Sequence, residues 1–137
     1  MPKFAANLSL LFTELPYLDR FQTAAQAGFK AVEILFPYDL AADVLDRVSR
    51  PNVGLHFDSF HAQTSHRDTL TIWDRFHDRV VHAQIGAAPN RSEPGRGPTD
   101  FRRLFDTIDS SGYSGWVSAE YTPSTAQTSE SLDWMWQ

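Results

Sequence analysis

Apolar residues in this chain follow two patterns that alternate from the amino terminus to the carboxyl terminus. Short runs rich in β-branched and aromatic residues are typical of buried strands, whereas apolar positions spaced three or four apart are typical of helices. The short runs predict strands at residues 4–11, 29–36, 52–57, 80–85 and 115–121. Helical patterns lie between them, and this order predicts an α/β fold with about five parallel strands.

The predicted helices begin and end at residues that commonly mark helix termini. Pro16 suits a first helical turn and Gly28 suits a helix end, so the first helix is expected between them. Asp100 is a typical N-cap for a helix at residues 101–108. The other helices are predicted at residues 40–48 and 69–76, and a last one is predicted to start at residues 129–130.

Three of the predicted strands carry an oxygen-bearing side chain late in the run or directly after it. These residues are Asp58, Gln84 and Glu120. In a parallel sheet the carboxyl ends of the strands share one rim, and neighbouring strands lie only ~4.8 Å apart. Carboxylate and amide oxygens suit a hard divalent cation such as Mg²⁺ or Mn²⁺. The sequence therefore predicts that the three side chains converge on one metal site.

Each of these residues also has an ordinary structural interpretation. Asp58 could start a turn with His61 as a surface residue, and Gln84 taken alone is best explained as a hydrogen-bonded core amide. A carboxylate that ends a buried strand is costly unless it is paired or coordinated, which favours a functional role for Asp58 and Glu120. Glu33 could point to the rim or to the outer face of the sheet, and the sequence does not decide between them.

The segment after the fourth strand, residues 90–97, is rich in Gly, Pro, Asn and Ser. A polar surface loop is the simpler interpretation of this composition. A substrate lid is the alternative, in which Arg91 supplies a planar guanidinium for a carboxylate group. The loop by itself is a weak signal, so this role depends on the residues around it.

Composition narrows the class of protein. The chain has 137 residues, of which 42% are apolar and 21% charged, and this fits one globular domain over residues 1–137. The net charge is −5 and Lys and Arg form no stripe, so a nucleic-acid partner is not expected. Cysteine is absent, which excludes thiol catalysis and Cys-based zinc sites. No apolar run approaches the ~18 residues of a membrane span and no signal peptide is evident, so a cytoplasmic protein is expected.

Short stretches distributed along the chain also match one known family as a set. They are residues 6–9, 11–12, 31–33, 36–38, 50–53, Asp58, His61, Gln63, 82–85, Pro89, Arg91, 93–95, 112–113, 115–117, 120–121 and Pro123. Together they resemble the hydroxypyruvate isomerase family of the xylose-isomerase-like TIM barrels. Members look like full eight-strand barrels, so this chain resembles their first two βα units joined directly to their last three. The resemblance implies a partial (β/α) TIM-barrel-like fold, with the junction inside residues 41–49.

The resemblance implies a role for each candidate residue. Asp58, Gln84 and Glu120 match three of the four metal-ligand positions of the family, with Mg²⁺ or Mn²⁺ as the cofactor. Glu120 also matches one of a pair of catalytic glutamates, and the other falls in the missing part. His61 and Arg91 match substrate-contacting positions, whereas Ser92 stands where the family often has His.

The implied activity is that of an intramolecular oxidoreductase, a metal-dependent ketose–aldose isomerase that interconverts hydroxypyruvate and tartronate semialdehyde. Proton transfer between neighbouring carbons of a hydroxy-oxo acid needs a base and a polarised carbonyl. Because one glutamate is missing, impaired activity is expected, and whether the chain is an enzyme stays open. A 2-oxo-tetronate isomerase-like enzyme and a non-catalytic shortened barrel fragment are the alternatives. A homo-oligomer in which copies cover each other's exposed strand edges is a further expectation.

Overall fold

The structure of the protein, a computed structural model, describes residues 4–34, 38–65 and 67–136. The chain divides after Ser49 into two units, residues 1–49 and residues 50–137. The boundary falls at the end of the segment 41–49, in which the sequence places the junction between early and late βα units. The interpretation of residues 1–137 as a single domain stays a prediction.

The first unit contains two parallel strands and two helices. Strand β1 (Ala5–Asn7) pairs with β2 (Ala31–Glu33), and Asn7 lies opposite Glu33. Helix α1 (Asp19–Gln26) connects these strands, and α2 (Tyr38–Val48) follows β2. The small core consists of the buried Ala6, Leu8 and Ala24 with the partly buried Phe12, Phe21, Phe29 and Val32 around them. Gly28 follows α1 at a φ of 95°, which a side chain would resist, and this confirms the predicted helix end.

The second unit contains one parallel sheet in the order β3–β4–β5. Its strands are β3 (Leu55–Asp58), β4 (Val80–Ile85) and β5 (Val117–Ala119). Helices α3 (Ser59–Thr64) and α4 (Thr69–Phe76) connect β3 to β4, and α5 (Phe101–Ser110) connects β4 to β5. Single 3₁₀ turns cover His77–Arg79, Thr128–Ser131 and Asp133–Trp136.

The two faces of this second sheet differ in chemistry because side chains alternate along each strand. One face is apolar: Phe57 and Ala83 lie opposite each other in register and are fully buried. Phe57 meets Trp73 of α4 edge to face, with ring centroids 5.1 Å apart. The other face is polar and carries His56 and Asp58 from β3 and their register partners His82 and Gln84 from β4. The apolar face holds the unit together, and the polar face presents the candidate site.

The α/β fold with parallel strands is confirmed, and the described residues contain no helix long and apolar enough to cross a membrane. The five strands form two sheets. The family resemblance implies the spatial order third, fourth, fifth, first, second, and the order β3–β4–β5 within the second sheet agrees with the first part of it. Pairing of the fifth strand with the first stays a prediction. Residues 35–37, which include the predicted end of the second strand and part of the matching stretch 36–38, lie outside the described residues.

The predicted first strand and the predicted last helix differ most from the structure. The strand predicted at residues 4–11 ends at Asn7, because the Asn7 side chain accepts from the Ser9 amide and its carbonyl accepts from Leu10 and Leu11, which starts a turn. The last predicted helix is replaced by two 3₁₀ turns, where the Ser131 hydroxyl donates to the Thr128 carbonyl. Such local side-chain bonds compete with a regular helix.

Candidate active site

The three predicted metal ligands lie at the carboxyl ends of three adjacent strands. Asp58 is in register with Gln84, and Gln84 is in register with Ser118. Glu120 comes two residues after Ser118, and its amide still donates to the Ile85 carbonyl at 2.9 Å, so its side chain belongs to the same polar face. The parallel register therefore places these three residues at one edge of the sheet, and the convergence of their side chains on one ion stays a prediction.

The two carboxylate oxygens of Asp58 have different roles: one caps helix α3, and the other faces the candidate site. Its Oδ1 accepts from the backbone amides of Phe60 at 2.9 Å and His61 at 3.3 Å, so Asp58 is the N-cap of α3. Its Oδ2 lies 3.0 Å from Nη2 of Arg91 and 3.5 Å from Nε2 of His61. The side chain is nearly buried, and the cap fixes the direction in which Oδ2 points.

Arg91 joins the two carboxylates of the site. Its Nη2 lies 3.0 Å from Asp58 Oδ2 and 2.6 Å from Glu120 Oε2. Its Nε donates to the Glu120 backbone carbonyl at 3.2 Å, and the guanidinium lies over the Phe60 ring at 5.0 Å. Because both carboxylate oxygens contact one nitrogen, they are no farther apart than the two distances added together, about 5.6 Å. Two negative charges and one positive charge therefore meet at this rim.

Glu120 is only partly paired by this contact. Its side chain is 44% exposed, yet its Oε2 atom is buried and makes no hydrogen bond of good geometry. The nearby Arg91 guanidinium offsets the negative charge of Glu120. Its N–H groups do not point at Oε2 in a direction that forms a hydrogen bond. An oxygen in this state retains the capacity to accept a further ligand.

The backbone of Arg91 is held in a left-handed conformation by the loop around it. Its φ is 53°, and its carbonyl accepts from the Thr122 amide at 2.8 Å. On either side of this turn, Ala87 and Ser92 exchange two backbone bonds of 2.8 and 3.0 Å. The buried Ser92 thus serves the loop through its backbone, and Arg91 is presented to the two carboxylates from a fixed base.

Helix α3 supports the start of the same loop. The buried Ser59 hydroxyl bonds to both the amide and the carbonyl of Gly86 at 3.0 Å. Gln63 donates to the Gly86 carbonyl and accepts from the Ala88 amide, each at 3.0 Å. A methyl group on Gly86 would lie 2.8 Å from the Glu120 carbonyl and 3.2 Å from Cγ of Arg91. Glycine at position 86 therefore allows the loop to approach the end of β5 closely.

Glu93 anchors the far end of the loop, and sequence reasoning assigns it no role. It is buried, and it accepts from the Ser124 hydroxyl, from the Ser124 amide at 3.0 Å and from Arg96 at 3.2 Å. Burial alone raises the pKa of Glu93, but the bonds from Ser124 and Arg96 outweigh it and lower the pKa to about 2. Its partner Ser124 lies 31 residues away, so no local pattern could reveal the contact.

A second polar layer lies on the same face of the sheet, two residues before Asp58 and Gln84 along their strands. The rings of His56 and His82 have centroids 5.3 Å apart, and the Ser118 hydroxyl lies 3.0 Å from His82 Nε2. Burial and the neighbouring His82 lower the pKa of His56, while Asp58, Glu120 and a hydrogen bond with Gln84 oppose the shift. The Gln84 amide is thus engaged with His56, and the histidines support the layer that carries Asp58.

In the first unit, the two polar residues at the strand ends contact each other. Asn7 donates through Nδ2 to Glu33 Oε1 at 2.8 Å, and the Leu8 amide donates to the Glu33 carbonyl at 2.9 Å. Glu33 therefore reaches its neighbour at the carboxyl end of β1. This contact places the Glu33 carboxylate beside Asn7 and does not decide between a rim position and an outer position.

The donor set of the second unit fits a hard cation in its chemistry. Among the described residues, no group of three or more His, Cys, Asp or Glu side chains is placed to hold a metal ion. Asp58 and Glu120 nevertheless form a close carboxylate pair, and the buried Oε2 of Glu120 lacks a hydrogen bond. Gln84 is the register partner of Asp58 on the neighbouring strand. Oxygen donors of these types suit Mg²⁺ or Mn²⁺. The metal itself stays a prediction.

This chain is similar to one described protein family and to isomerases from two bacteria. Residues 37–137 match the family described as xylose isomerase-like TIM barrel. The chain is 24% identical to a 2-oxo-tetronate isomerase of Haemophilus influenzae over 254 residues, covering 98% of each protein. It is 35% identical to the hydroxypyruvate isomerase of Escherichia coli over 95 residues, covering 69% of this chain and 36% of the relative. The chain thus spans about a third of the length of that second relative.

The first of these alignments also bears on the missing middle of the chain. An alignment of 254 residues is much longer than this chain of 137 residues, although it covers 98% of both proteins. A large internal part of the relative therefore has no counterpart here. This agrees with the interpretation that early βα units are joined directly to late ones.

Solved structures show the same fold. A protein from Brucella melitensis described as AP endonuclease, family 2, superimposes with a TM-score of 0.64 at 24% identity, covering 98% of both chains. A 3-keto-D-glucoside 4-epimerase from Escherichia coli superimposes with a TM-score of 0.65 at 22% identity. It is matched over 87% of this chain and 50% of its own. At such identities the similarity concerns the fold alone.

Proposed function

Because the chain belongs to the xylose isomerase-like TIM-barrel family, we propose that it is a hydroxypyruvate isomerase-like protein that interconverts hydroxypyruvate and tartronate semialdehyde with impaired activity. The observation that carries this proposal is the placement of Asp58 and Glu120 around Arg91, at the carboxyl ends of β3 and β5 on either side of β4. Curated relatives with 35% and 24% identity are isomerases of hydroxypyruvate and of 2-oxo-tetronate, which supports the reaction class.

Asp58, Gln84 and Glu120 are the residues proposed to hold a divalent metal, Mg²⁺ or Mn²⁺. Such an ion, when bound, polarises the carbonyl of a hydroxy-oxo acid and so lowers the barrier for removal of the neighbouring proton. Asp58 is already oriented for this task, because one of its oxygens is used by the N-cap and the other faces Arg91. Gln84 contributes a neutral donor from the neighbouring strand.

Glu120 is the residue proposed to move the proton. Its Oε2 is buried but not hydrogen-bonded, which suits a base that must accept a proton from carbon. Arg91 is the residue proposed to bind the substrate carboxylate, since its planar guanidinium can pair with two oxygens. His61, whose Nε2 lies 3.5 Å from Asp58, is proposed to contact the substrate from α3.

Impaired activity follows from the number of acid–base groups. The family resemblance implies two glutamates, and this chain supplies one of them, Glu120. A correctly placed general acid or base contributes about 10²–10⁴-fold in rate, so the loss of one is expected to reduce turnover by that order. We therefore expect hydroxypyruvate turnover by the purified chain with added Mn²⁺ to fall below about 1 s⁻¹, the low end of ordinary enzymes.

The experiment compares Glu120→Gln with Glu130→Gln in the presence of Mn²⁺. Glu130 is an exposed carboxylate in the 3₁₀ turn Thr128–Ser131, so the control removes the same charge away from the site. Residual turnover should be lost in Glu120→Gln and kept in Glu130→Gln. Equal turnover in all three proteins would show that Glu120 is not the base. A wild-type rate of about 1–10³ s⁻¹ would contradict the proposed impairment.

Two alternatives remain as outcomes of the same assay. A 2-oxo-tetronate isomerase-like enzyme is favoured by the relative from Haemophilus influenzae, which aligns with 98% of this chain. Faster conversion of 2-oxo-tetronate than of hydroxypyruvate would support it. A folded protein that converts neither compound would instead support a non-catalytic shortened barrel fragment.

A further inference from the structure

The Arg91 guanidinium lies in the space between the two carboxylates that the proposed function assigns to a metal. A single nitrogen, Nη2, is 3.0 Å from Asp58 Oδ2 and 2.6 Å from Glu120 Oε2. Metal–oxygen bonds are about 2.0–2.6 Å long, so an ion bound to both oxygens would use the same two atoms as this nitrogen and lie close to it. Two cations this close that contact the same oxygens repel each other, so they compete for these oxygens.

We propose that Arg91 and a divalent cation compete for Asp58 and Glu120, so that the cation binds when the guanidinium turns toward a small carboxylate ligand. This inference rests on the proposed function, since it concerns the same site. In this view Arg91 is an internal counter-ion in the absence of metal. Metal binding releases it, and the released guanidinium is then free to bind the substrate carboxylate.

The backbone of Arg91 and its guanidinium are held by contacts of different kinds, and this supports an exchange at the guanidinium. Its backbone is fixed by the Thr122 amide and by the Ala87–Ser92 bonds beside it. Its guanidinium donates to Asp58 Oδ2 at 3.0 Å and to the Glu120 carbonyl at 3.2 Å, whereas its contact with Glu120 Oε2 is an ion pair without a well-directed hydrogen bond. The side chain is 30% exposed, so its head group can turn toward a ligand in solvent while the backbone stays in place. The guanidinium also lies over the Phe60 ring, at 5.0 Å from its centroid.

The exchange links the two ligands thermodynamically. A monocarboxylate that pairs with Arg91 removes the competitor and so strengthens metal binding, and the metal strengthens carboxylate binding by the same factor. Both effects require the guanidinium of Arg91. A substitution that removes it should strengthen metal binding directly and abolish the coupling.

The test measures the Kd of Mn²⁺ from the free-ion electron paramagnetic resonance signal, with no turnover involved. The variants are Arg91→Gln and Arg102→Gln, which make the same change of charge. Arg102 is exposed on α5, so its variant reports the effect of net charge alone. We expect Mn²⁺ to bind about tenfold more tightly to Arg91→Gln than to Arg102→Gln, the effect of removing a half-buried competing cation. Arg91→Lys, which keeps a positive charge, should stay close to wild type.

A second measurement adds propionate, a carboxylate that chelates metals weakly. Propionate should tighten Mn²⁺ binding to the wild-type chain and have no such effect on Arg91→Gln. Equal Mn²⁺ affinity in Arg91→Gln and Arg102→Gln, with both variants folded by circular dichroism, would overturn the competition. Equal enhancement by propionate in the wild type and in Arg91→Gln would overturn the coupling through Arg91.

These outcomes are separate from those of the proposed function. Tighter Mn²⁺ binding by Arg91→Gln, together with no turnover of hydroxypyruvate by the wild type, would refute the isomerase and leave the competition in place. Turnover by the wild type with unchanged Mn²⁺ affinity in Arg91→Gln would refute the competition and leave the isomerase in place.

Discussion

Gly86 is the position at which one added methyl group should disturb the candidate site most directly. A Cβ at this residue would lie 2.8 Å from the Glu120 carbonyl oxygen, 3.2 Å from Cγ of Arg91 and 3.6 Å from Cβ of Phe60. The first of these atoms belongs to the backbone at the end of β5 and cannot turn aside. The Ser59 and Gln63 bonds hold Gly86 from the other side, so the loop has little freedom to retreat.

The expected loss of stability follows from that crowding. Adding a methylene-sized group to a packed site usually costs about 1–3 kcal/mol, and a contact with fixed backbone belongs in the upper half of that range. We therefore expect Gly86→Ala to lower the free energy of unfolding by about 2–3 kcal/mol. The same displacement should move the Glu120 backbone and Arg91 apart and weaken their 3.2 Å bond.

The assay is urea denaturation of Gly86→Ala beside Gly95→Ala, with Mn²⁺ affinity measured on both. Gly95 has a φ of 91°, and no atom lies within 4 Å of the position that an added methyl group would take. Alanine at position 95 therefore strains the backbone by about 1–2 kcal/mol without touching the site. Only Gly86→Ala should change Mn²⁺ affinity. A Gly86→Ala protein as stable as wild type, with the same Mn²⁺ affinity, would show that the loop is not packed against β5 as described.

Two further predictions concern the stability and assembly of the chain. Glu93 has a pKa lowered from 4.5 to about 2, so its ionised form stabilises the fold above pH 4.5, and this contribution is lost as the pH falls toward 2. Glu93→Gln should therefore lower stability at neutral pH and flatten its dependence on pH across that window, and an unchanged slope would contradict the role of Glu93. Sedimentation at micromolar concentration should show a dimer or larger species, because Trp116 and Val81 are 83% and 65% exposed, and a clean monomer would be the opposing result.

The sequence is informative where the cause of a structure is local or periodic. Short apolar runs predict the β3, β4 and β5 strands, and the parallel rim then implies that Asp58 and Glu120 approach each other. The fold class follows from the same elements, whereas the family follows from the resemblance of short matching stretches along the chain. Helix α3 is not predicted because its six residues are too few to show a helical period, and only the Asp58 N-cap marks its start.

The sequence is uninformative where contacts join distant loops. The position of Arg91 depends on its φ of 53° and on bonds to residues 29 and 33 positions away. No spacing in the chain encodes such a contact, although the family resemblance assigns Arg91 to the substrate. The burial of Glu93 against Ser124 is of the same kind, since a glutamate in a Gly- and Pro-rich loop usually remains in solvent.

The expected loss of activity has a chemical cause, which is the absence of one oxygen ligand and one acid–base group that the family resemblance implies. Residues within 50–137 make the contacts described above that orient Asp58, Arg91 and Glu120. These residues lie on strands β3, β4 and β5 and on the segments after them. The partial site is therefore assembled by neighbouring strands and does not depend on the strands that the chain lacks. What those missing strands supplied, by resemblance, was a further oxygen ligand and a second acid–base group. A site with intact local geometry and one glutamate fewer should bind a cation more weakly and transfer protons more slowly, while its fold remains that of the family.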